Sequence, residues 1–285
     1  MKKYFFLIFS FLFSAATYSQ SSSINVMTFN IRLDVKSDSL NGWQYRKERV
    51  AKTVLLNNVD IVGMQEVLHN QLMDIEKALP DYTWIGVGRE DGMEAGEYSP
   101  IFYNHNKFSE VGSGYFWLSK TPMEAGSKGW DAACTRIATW AKLKDISTGT
   151  IFFVLNTHFD HIGEVARRES AKLILEKVNL YTQKKKYPII VMGDFNSNAQ
   201  SEAYKTLTDT SNPLYLTDTR MLATKVNGPS WTFHNFGRQP VKERQMIDYI
   251  FVNNGIKVLS FDVIDGTQTK EYPSDHNAVM VKVEF

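Results

Sequence analysis

From position 24 to 30 apolar and polar side chains alternate with a period of two, the pattern of a half-buried strand. Residues 44–57 follow with Val50, Val54 and Leu55 near helical spacing, and with Arg46, Lys47, Glu48 and Arg49 as a solvated face. Residues 60–65 read as a second strand ending at Glu66, and 69–79 as a short helix stopped by Pro80. Strand-like runs at 82–87, 100–103, 115–118, 136–144 and 150–156 come next without long helices. The longest helical stretch is 164–186, and its final Lys184-Lys185-Lys186 suits a solvated helix C-terminus. Strands at 188–192, 247–252, 257–263 and 278–283 finish the chain. No Pro/Gly/Ser linker or low-complexity tract divides it, so residues 21–285 read as a single domain.

The first twenty residues stand apart. Lys2 and Lys3 precede an apolar run from Tyr4 to Phe13, and Ser14, Ala15 and Ala16 open a small, polar exit. This is the pattern of a secretory signal peptide, with an apolar run too short for a permanent span. Export to a periplasmic or extracellular space is the expectation. No cysteine lies near the exit to carry a lipid anchor, and the lone Cys134 excludes an intramolecular disulfide framework.

Composition narrows the function. The 285 residues are 43% hydrophobic and 22% charged, which excludes disorder and permits a large core. Formal net charge is +1 for the whole chain and −1 once Lys2 and Lys3 are removed. Such a balance carries no strong nucleic-acid signature, and nothing in the mature chain reads as a transmembrane segment. A monomer is expected.

Two strand–helix–strand units share one spacing. Asn30 and Glu66 end the strands of the first, His158 and Asp194 those of the second, and each pair is 36 positions apart. In sheets with parallel pairs, ligands bind at that strand end. Two such units can pack sheet against sheet, with helices outside and both polar edges on one rim.

Polar groups at other strand ends extend the set. Gly193-Asp194-Phe195-Asn196 follows the apolar run 189–192, and its carboxylate and carboxamide suit a hard cation or a polarised water. An Asx-turn capping the strand accounts for the same residues. Asp248 interrupts the apolar run 246–251 and needs a histidine or backbone donor to meet it. Ser274-Asp275-His276 precedes the last strand. Arg136 opens an apolar strand as a buried ion-pair partner or a phosphate clamp.

In order along the chain, Thr28-Phe29-Asn30, Gln65-Glu66, Asn156-Thr157-His158, Gly193-Asp194-Phe195-Asn196, Ile247-Asp248-Tyr249 and Ser274-Asp275-His276 resemble the motifs of the endonuclease/exonuclease/phosphatase superfamily, the DNase I-like phosphoesterases. The segment 116–140 resembles a bacterial, secreted branch of that family. The resemblance implies an α/β fold, a four-layer α/β/β/α sandwich of two mixed sheets, and metal-dependent hydrolysis of a phosphoester. It implies Mg²⁺, with Mn²⁺ as a substitute, held by Glu66 with Asn30 beside it and Asp275 closing the shell. Asp194 and Asn196 would orient the attacking water and a phosphate oxygen. His276, held by Asp248, would contact the phosphate or move a proton, and the base is either Asp194 or His276. His158 would meet the phosphate or leaving group, and Arg136 and Asn196 would help bind substrate.

One departure clouds the substrate rim: Met246 stands where many relatives carry a basic residue, with Arg244 two positions earlier. The expected rim segment 89–98 is net acidic, which disfavours a polyanion. A small or lipid-linked phosphate is therefore expected as substrate: a sugar, inositol or choline ester. A secreted nuclease with the same site is the alternative, and a silent binding module is disfavoured because no member of the set is missing. His69, His105, His161 and His234 read as ordinary residues. Zinc is disfavoured by the excess of carboxylates over grouped histidines.

Overall fold

A computed structural model of the chain describes residues 23–183, 187–266 and 271–285. The expected leader over 1–20 and the lysine run at 184–186 lie outside the described residues. The chain runs β1 (Ser23–Asn30), α1 (Trp43–Leu56), β2 (Ile61–Gln65), α2 (His69–Ala78), β3 (Tyr82–Ile85), β4 (Ile101–Asn104), β5 (Phe108–Trp117), β6 (Ile137–Asp145), β7 (Ile151–His158), α3 (Glu164–Thr182) and β8 (Ile189–Asp194). It continues with α4 (Glu202–Thr208), β9 (Thr217–Asp218), α5 (Thr219–Leu222), β10 (Val226–Asn227), β11 (Asp248–Val252), β12 (Lys257–Ile264) and β13 (Ala278–Glu284).

Two mixed sheets result, one ordered β10-β12-β13-β1-β2-β4-β3 and the other β5-β6-β7-β8-β11-β9. The two strand–helix–strand units form parallel pairs, β1 with β2 and β7 with β8. Their registers set Asn30 opposite Gln65 and His158 opposite Asp194. The antiparallel neighbour β11 sets Asp248 opposite Asp194.

Period-two alternation then decides which side chains meet. Ile24 and Val26 of β1, Ile61 of β2, Phe152 and Val154 of β7, Ile190 and Met192 of β8, and Ile250 and Val252 of β11 fill the space between the sheets. The intervening Met27, Phe29, Val62 and Met64 pack against α1 and α2, and Phe153, Leu155, Val191 and Phe251 against α3 and α4. The order of layers is therefore α/β/β/α, a DNase I-like sandwich. Continuing each inward-facing row by two residues toward the strand ends gives Thr28 and Asn30, Gln65, Asn156 and His158, Asp194 and Asp248. The interior thus turns from apolar to polar at one rim.

Below that rim the sheets are joined by buried amides. Gln65 Nε2 donates to Asn156 Oδ1 at 2.6 Å and to Thr28 Oγ1 at 3.0 Å. Asn156 Nδ2 donates to the carbonyls of Met64 and Pro100 at 2.7 and 2.8 Å. Gly63 makes room for this, since a Cβ there would stand 2.6 Å from the Asn156 side chain.

Two readings of the sequence are revised and one helix is added. Arg46 is 0% exposed and belongs to the buried face of α1 with Trp43, Val50 and Val54, not to its solvated face. β5 begins at Phe108, well ahead of the expected run, as an edge strand with an irregularity between Glu110 and Gly112 that blurs its alternation. α4, capped by Ser201, is too short to give a periodic signal. Among the described residues no helix is long and apolar enough to cross a membrane.

Candidate active site

At the polar rim a cleft of about 420 Å³ is lined by Glu66, His158, Asp194, Asn196, Asp275 and His276, together with Arg32, Arg89, Glu97, Arg136 and His161. Glu66 and His276, 210 positions apart in the sequence, face the same space. Asn30 and Asp248 support it from the strands beneath, both buried.

Asn30 bridges the sheets: its Nδ2 donates to Glu66 Oε1 at 3.0 Å and to Asp194 Oδ2 at 2.9 Å. Its Oδ1, the atom expected beside a cation, accepts from the Arg32 backbone N–H at 3.0 Å. Glu66 Oε2 accepts from the Leu33 backbone N–H at 3.2 Å. His276 Nδ1 donates to Asp248 Oδ2 at 2.9 Å, which turns its Nε2 toward Asp194 Oδ2 at 3.8 Å. Ser274 fixes this last loop by donating to the Asn30 carbonyl at 2.6 Å. On the other side Asn196 Nδ2 donates to His158 Nε2 and to the Phe159 carbonyl, each at 3.0 Å. Arg136 pairs through Nε with Asp160 at 3.4 Å and contacts His161 Nδ1 through Nη2 at 3.0 Å, so it is an ion-pair partner that also lines the cleft. His161, read from the sequence as ordinary, therefore stands in the cleft wall.

Four non-glycine residues lining this cleft hold left-handed backbone: Arg32 (φ 59°), Glu66 (φ 61°), Asn196 (φ 45°) and Asn235 (φ 49°). Each such residue costs on the order of 1–3 kcal/mol and persists where neighbours over-determine it.

The sequence reading missed the cations beneath the acids. Arg32 is gripped by Asp38 through Nε at 3.0 Å and Nη2 at 3.1 Å, and its guanidinium lies 3.9 Å from both Glu66 and Asp275. The Asp38 hydrogen bond holds its pKa above the ordinary value. Arg46 lies deeper, donating to the carbonyls of Ile31, Arg32, Leu33, Asn41 and Pro273. Burial lowers it to about 10, so it stays charged at neutral pH. Its place at the helical spacing of Trp43 and Val50 was the available signal.

Burial pushes Asp194 up to about 7, helped by the charge of Asp248 and opposed by His276 and the amides of Asn30 and Asn196. Burial alone would lower His276, but the charge and hydrogen bond of Asp248, with Asp194 and Asp275, raise it to about 10. His158 is held well below its usual value by burial and then by Arg136 and Arg89. A raised His276 stabilises the fold fully below about pH 6.5 and loses that contribution as pH climbs to about 10. In EDTA, the melting-temperature advantage of the wild type over His276→Ala is therefore expected to shrink between pH 6.5 and 10. Thermal melts across that range check this.

The donor set fits a divalent cation. Asp194, Asp248 and His276 come within 4.8 Å of one another, but His276 is protonated and bonded to Asp248, which leaves Glu66 and Asp275, both facing the cleft, as the carboxylates free for an ion. The Asp38, Glu66, Asp194, Asp248 and Asp275 carboxylates outnumber the Arg32, Arg46 and His276 cations around them, and Asp248 Oδ1 is buried without a partner. Oxygen ligands in excess of local positive charge suit a hard ion.

The Endonuclease/Exonuclease/phosphatase family model matches residues 27–276. The chain belongs to that family. The family is one of hydrolytic phosphoesterases and nucleases with metal-dependent chemistry, and this chain has an acidic and histidine group that could bind a metal. It is similar to an endonuclease/exonuclease/phosphatase from Bacteroides vulgatus, 46% identical over 93% of this chain and 99% of that one, with a TM-score of 0.89. It is also similar to a mannosyl-6-phosphatase from Bacteroides thetaiotaomicron, 38% identical over 92% of this chain and 100% of that one, with a TM-score of 0.85. Among curated relatives, human Nocturnin is 23% identical over 85% of this chain and 58% of its own length. The CCR4-Not complex 3'-5'-exoribonuclease subunit Ccr4 of Candida glabrata is 23% identical over 57% of this chain and 22% of its own length. The chain thus spans less than two thirds of the curated relatives it matches.

Proposed function

We propose that the protein is an exported, monomeric, Mg²⁺-dependent phosphatase of small phosphate esters, with sugar phosphates foremost. The observation that carries this reading is the convergence of Glu66, Asp194, Asp275 and His276 on one cleft, with Asp248 beneath them, His158 and Asn196 beside Asp194, and Arg136 in the same lining. A cavity of about 420 Å³ suits a small molecule. The likeness to a mannosyl-6-phosphatase supports a sugar as the alcohol. Export rests on Lys2, Lys3 and the apolar run that follows.

A divalent ion held by Glu66 and Asp275 would offset negative charge growing on a phosphate oxygen, and Asn30, whose Nδ2 faces the site, positions Glu66 and Asp194 instead of serving as the expected ligand. His276, kept protonated by Asp248, aims Nε2–H at the phosphate and so serves as a cationic donor, not a base. That leaves Asp194, raised to about 7, to take the proton of the attacking water. The water oxygen bonds to phosphorus, the bond from phosphorus to the alcohol oxygen breaks, and the departing oxygen takes a proton from solvent while Asp194 returns the water's proton to solvent. His158 and Asn196, beside Asp194, hold the phosphoryl group of the ester.

Purified protein is expected to release inorganic phosphate from sugar phosphates, to lose that activity in EDTA and to regain it with Mg²⁺. A panel of phosphomonoesters, phosphodiesters, phospholipids and plasmid DNA tests the reading. Strong Mg²⁺-dependent nicking of plasmid with no phosphate release from any sugar ester would favour a nuclease instead.

A further inference from the structure

The part of the cleft beyond His158 is chemically unlike the acidic end. Arg89 Nη1 donates to Glu97 Oε2 at 2.7 Å, and both side chains are nearly buried. They reach the cleft from the loop between β3 and β4, which is a built structure. The Gly88, Arg89 and Glu90 N–H groups donate to the Met93, Glu97 and Ala95 carbonyls, and Asp91 caps the Met93 and Ala95 N–H groups. Trp117 Nε1 donates to the Arg89 carbonyl at 2.6 Å, tying the loop to β5. Beside this pair stands the second one, Arg136 with Asp160. Each guanidinium is matched by a carboxylate, so this wall presents no net charge for a second phosphate. Arg89 Nε and Arg136 Nη1 are buried without a partner, and the two pairs reach the cleft through their remaining guanidinium and carboxylate edges.

A hydroxyl group both donates and accepts, which suits a wall of paired arginines and carboxylates. An acyl chain would cover the same charges without bonding them, at a high desolvation cost. A polynucleotide would bring its own charges against Glu97, which already lies within reach of Glu66. We propose that Glu97, held in place by Arg89, is the specificity-determining residue of the site, and that it selects phosphate esters of uncharged alcohols bearing several hydroxyls. This rests on the phosphatase reading above and adds to it the feature of the alcohol that is recognised and the residue that recognises it.

Glu97 Oε2 also lies 3.9 Å from His158 Nδ1, so a role exerted through that imidazole must be separated from recognition. The full chain is assayed on a hexose 6-phosphate and on phenyl phosphate, which share the phosphoryl group and differ in hydroxyls. Wild type is expected to favour the hexose ester. Glu97→Gln is expected to lower the hexose-to-phenyl ratio of kcat/KM about 10- to 100-fold, the size of one hydrogen bond to a charged group, with the change in KM. Glu97→Asp, which keeps the charge and shortens the reach, is expected to fall between, and it stands in if the glutamine variant does not fold. Equal losses of kcat on both esters with an altered pH profile would overturn the proposal in favour of action through His158. An unchanged ratio would overturn it outright. Absence of phosphate release from any ester by the wild type would instead sink the phosphatase reading itself.

Discussion

Replacing His276 with alanine is expected to lower kcat/KM about 10²- to 10⁴-fold while leaving the protein folded, the range for loss of a group that moves or holds a proton in the transition state. The size of the effect follows from the isolation of the imidazole. It is buried, its Nδ1 is committed to Asp248, and the nearer imidazole of His158, 3.4 Å from Asp194, is kept neutral by burial and by Arg136. The substitution also leaves Asp248 buried without its donor. Stability should therefore fall too, and kinetics must be measured well below the melting transition. Glu66→Gln should act differently. It keeps the shape but only one of the two accepting contacts, to Asn30 or to Leu33, and removes a carboxylate oxygen from the cation site. Its loss should appear as weaker Mg²⁺ dependence and be partly recovered at high metal. Steady-state kinetics at several Mg²⁺ concentrations separate the two variants.

Arg46→Met should be the most destabilising single change outside the apolar core, by about 3–5 kcal/mol, as for removal of a buried charged partner. For a chain of this size that is on the order of a 10 °C fall in melting temperature. The guanidinium satisfies the carbonyls of Ile31, Arg32, Leu33, Asn41 and Pro273, and methionine can satisfy none of them. Those carbonyls belong to the segment after β1, whose Leu33 N–H holds Glu66, and to the loop carrying Asp275 and His276. Metal affinity should fall along with stability. Lys47→Ala, one position away, removes only an exposed pair with Asp74 and should change stability by less than about 1 kcal/mol. Differential scanning calorimetry of the two variants tests the contrast.

These two residues mark the limits of what the sequence discloses. His276, Asp248, Asp194, Glu66 and Asn30 are legible because each ends or adjoins an apolar run that fixes its strand, and a polar group there stands out. The equal spacing within the two strand–helix–strand units is real for the same reason: each crosses over one helix and returns in a parallel register. Arg46 is hidden in a run of four charged residues, where the charge of its neighbours outweighs its helical phase. Arg89, Glu97 and His161 lie on loops, where no periodicity tells a side chain's direction. Their role in the cleft comes from backbone hydrogen bonds far apart in sequence, such as that from Trp117 to Arg89. Arg136 had two readings, and the geometry joins them: the bond to Asp160 fixes the guanidinium and leaves Nη1 unpartnered beside the cleft.

Because one sheet contributes Asn30 and Glu66 and the other His158, Asp194 and Asp248, neither half of the molecule owns a complete catalytic set. Hydrolysis consequently works as a gauge of how tightly the halves are docked. A slight slackening between them, too small to melt any strand or helix, would widen the gap spanned by the Asn30 side chain and the Gln65–Asn156 contact. Loss of turnover on warming would then run ahead of any loss of secondary structure.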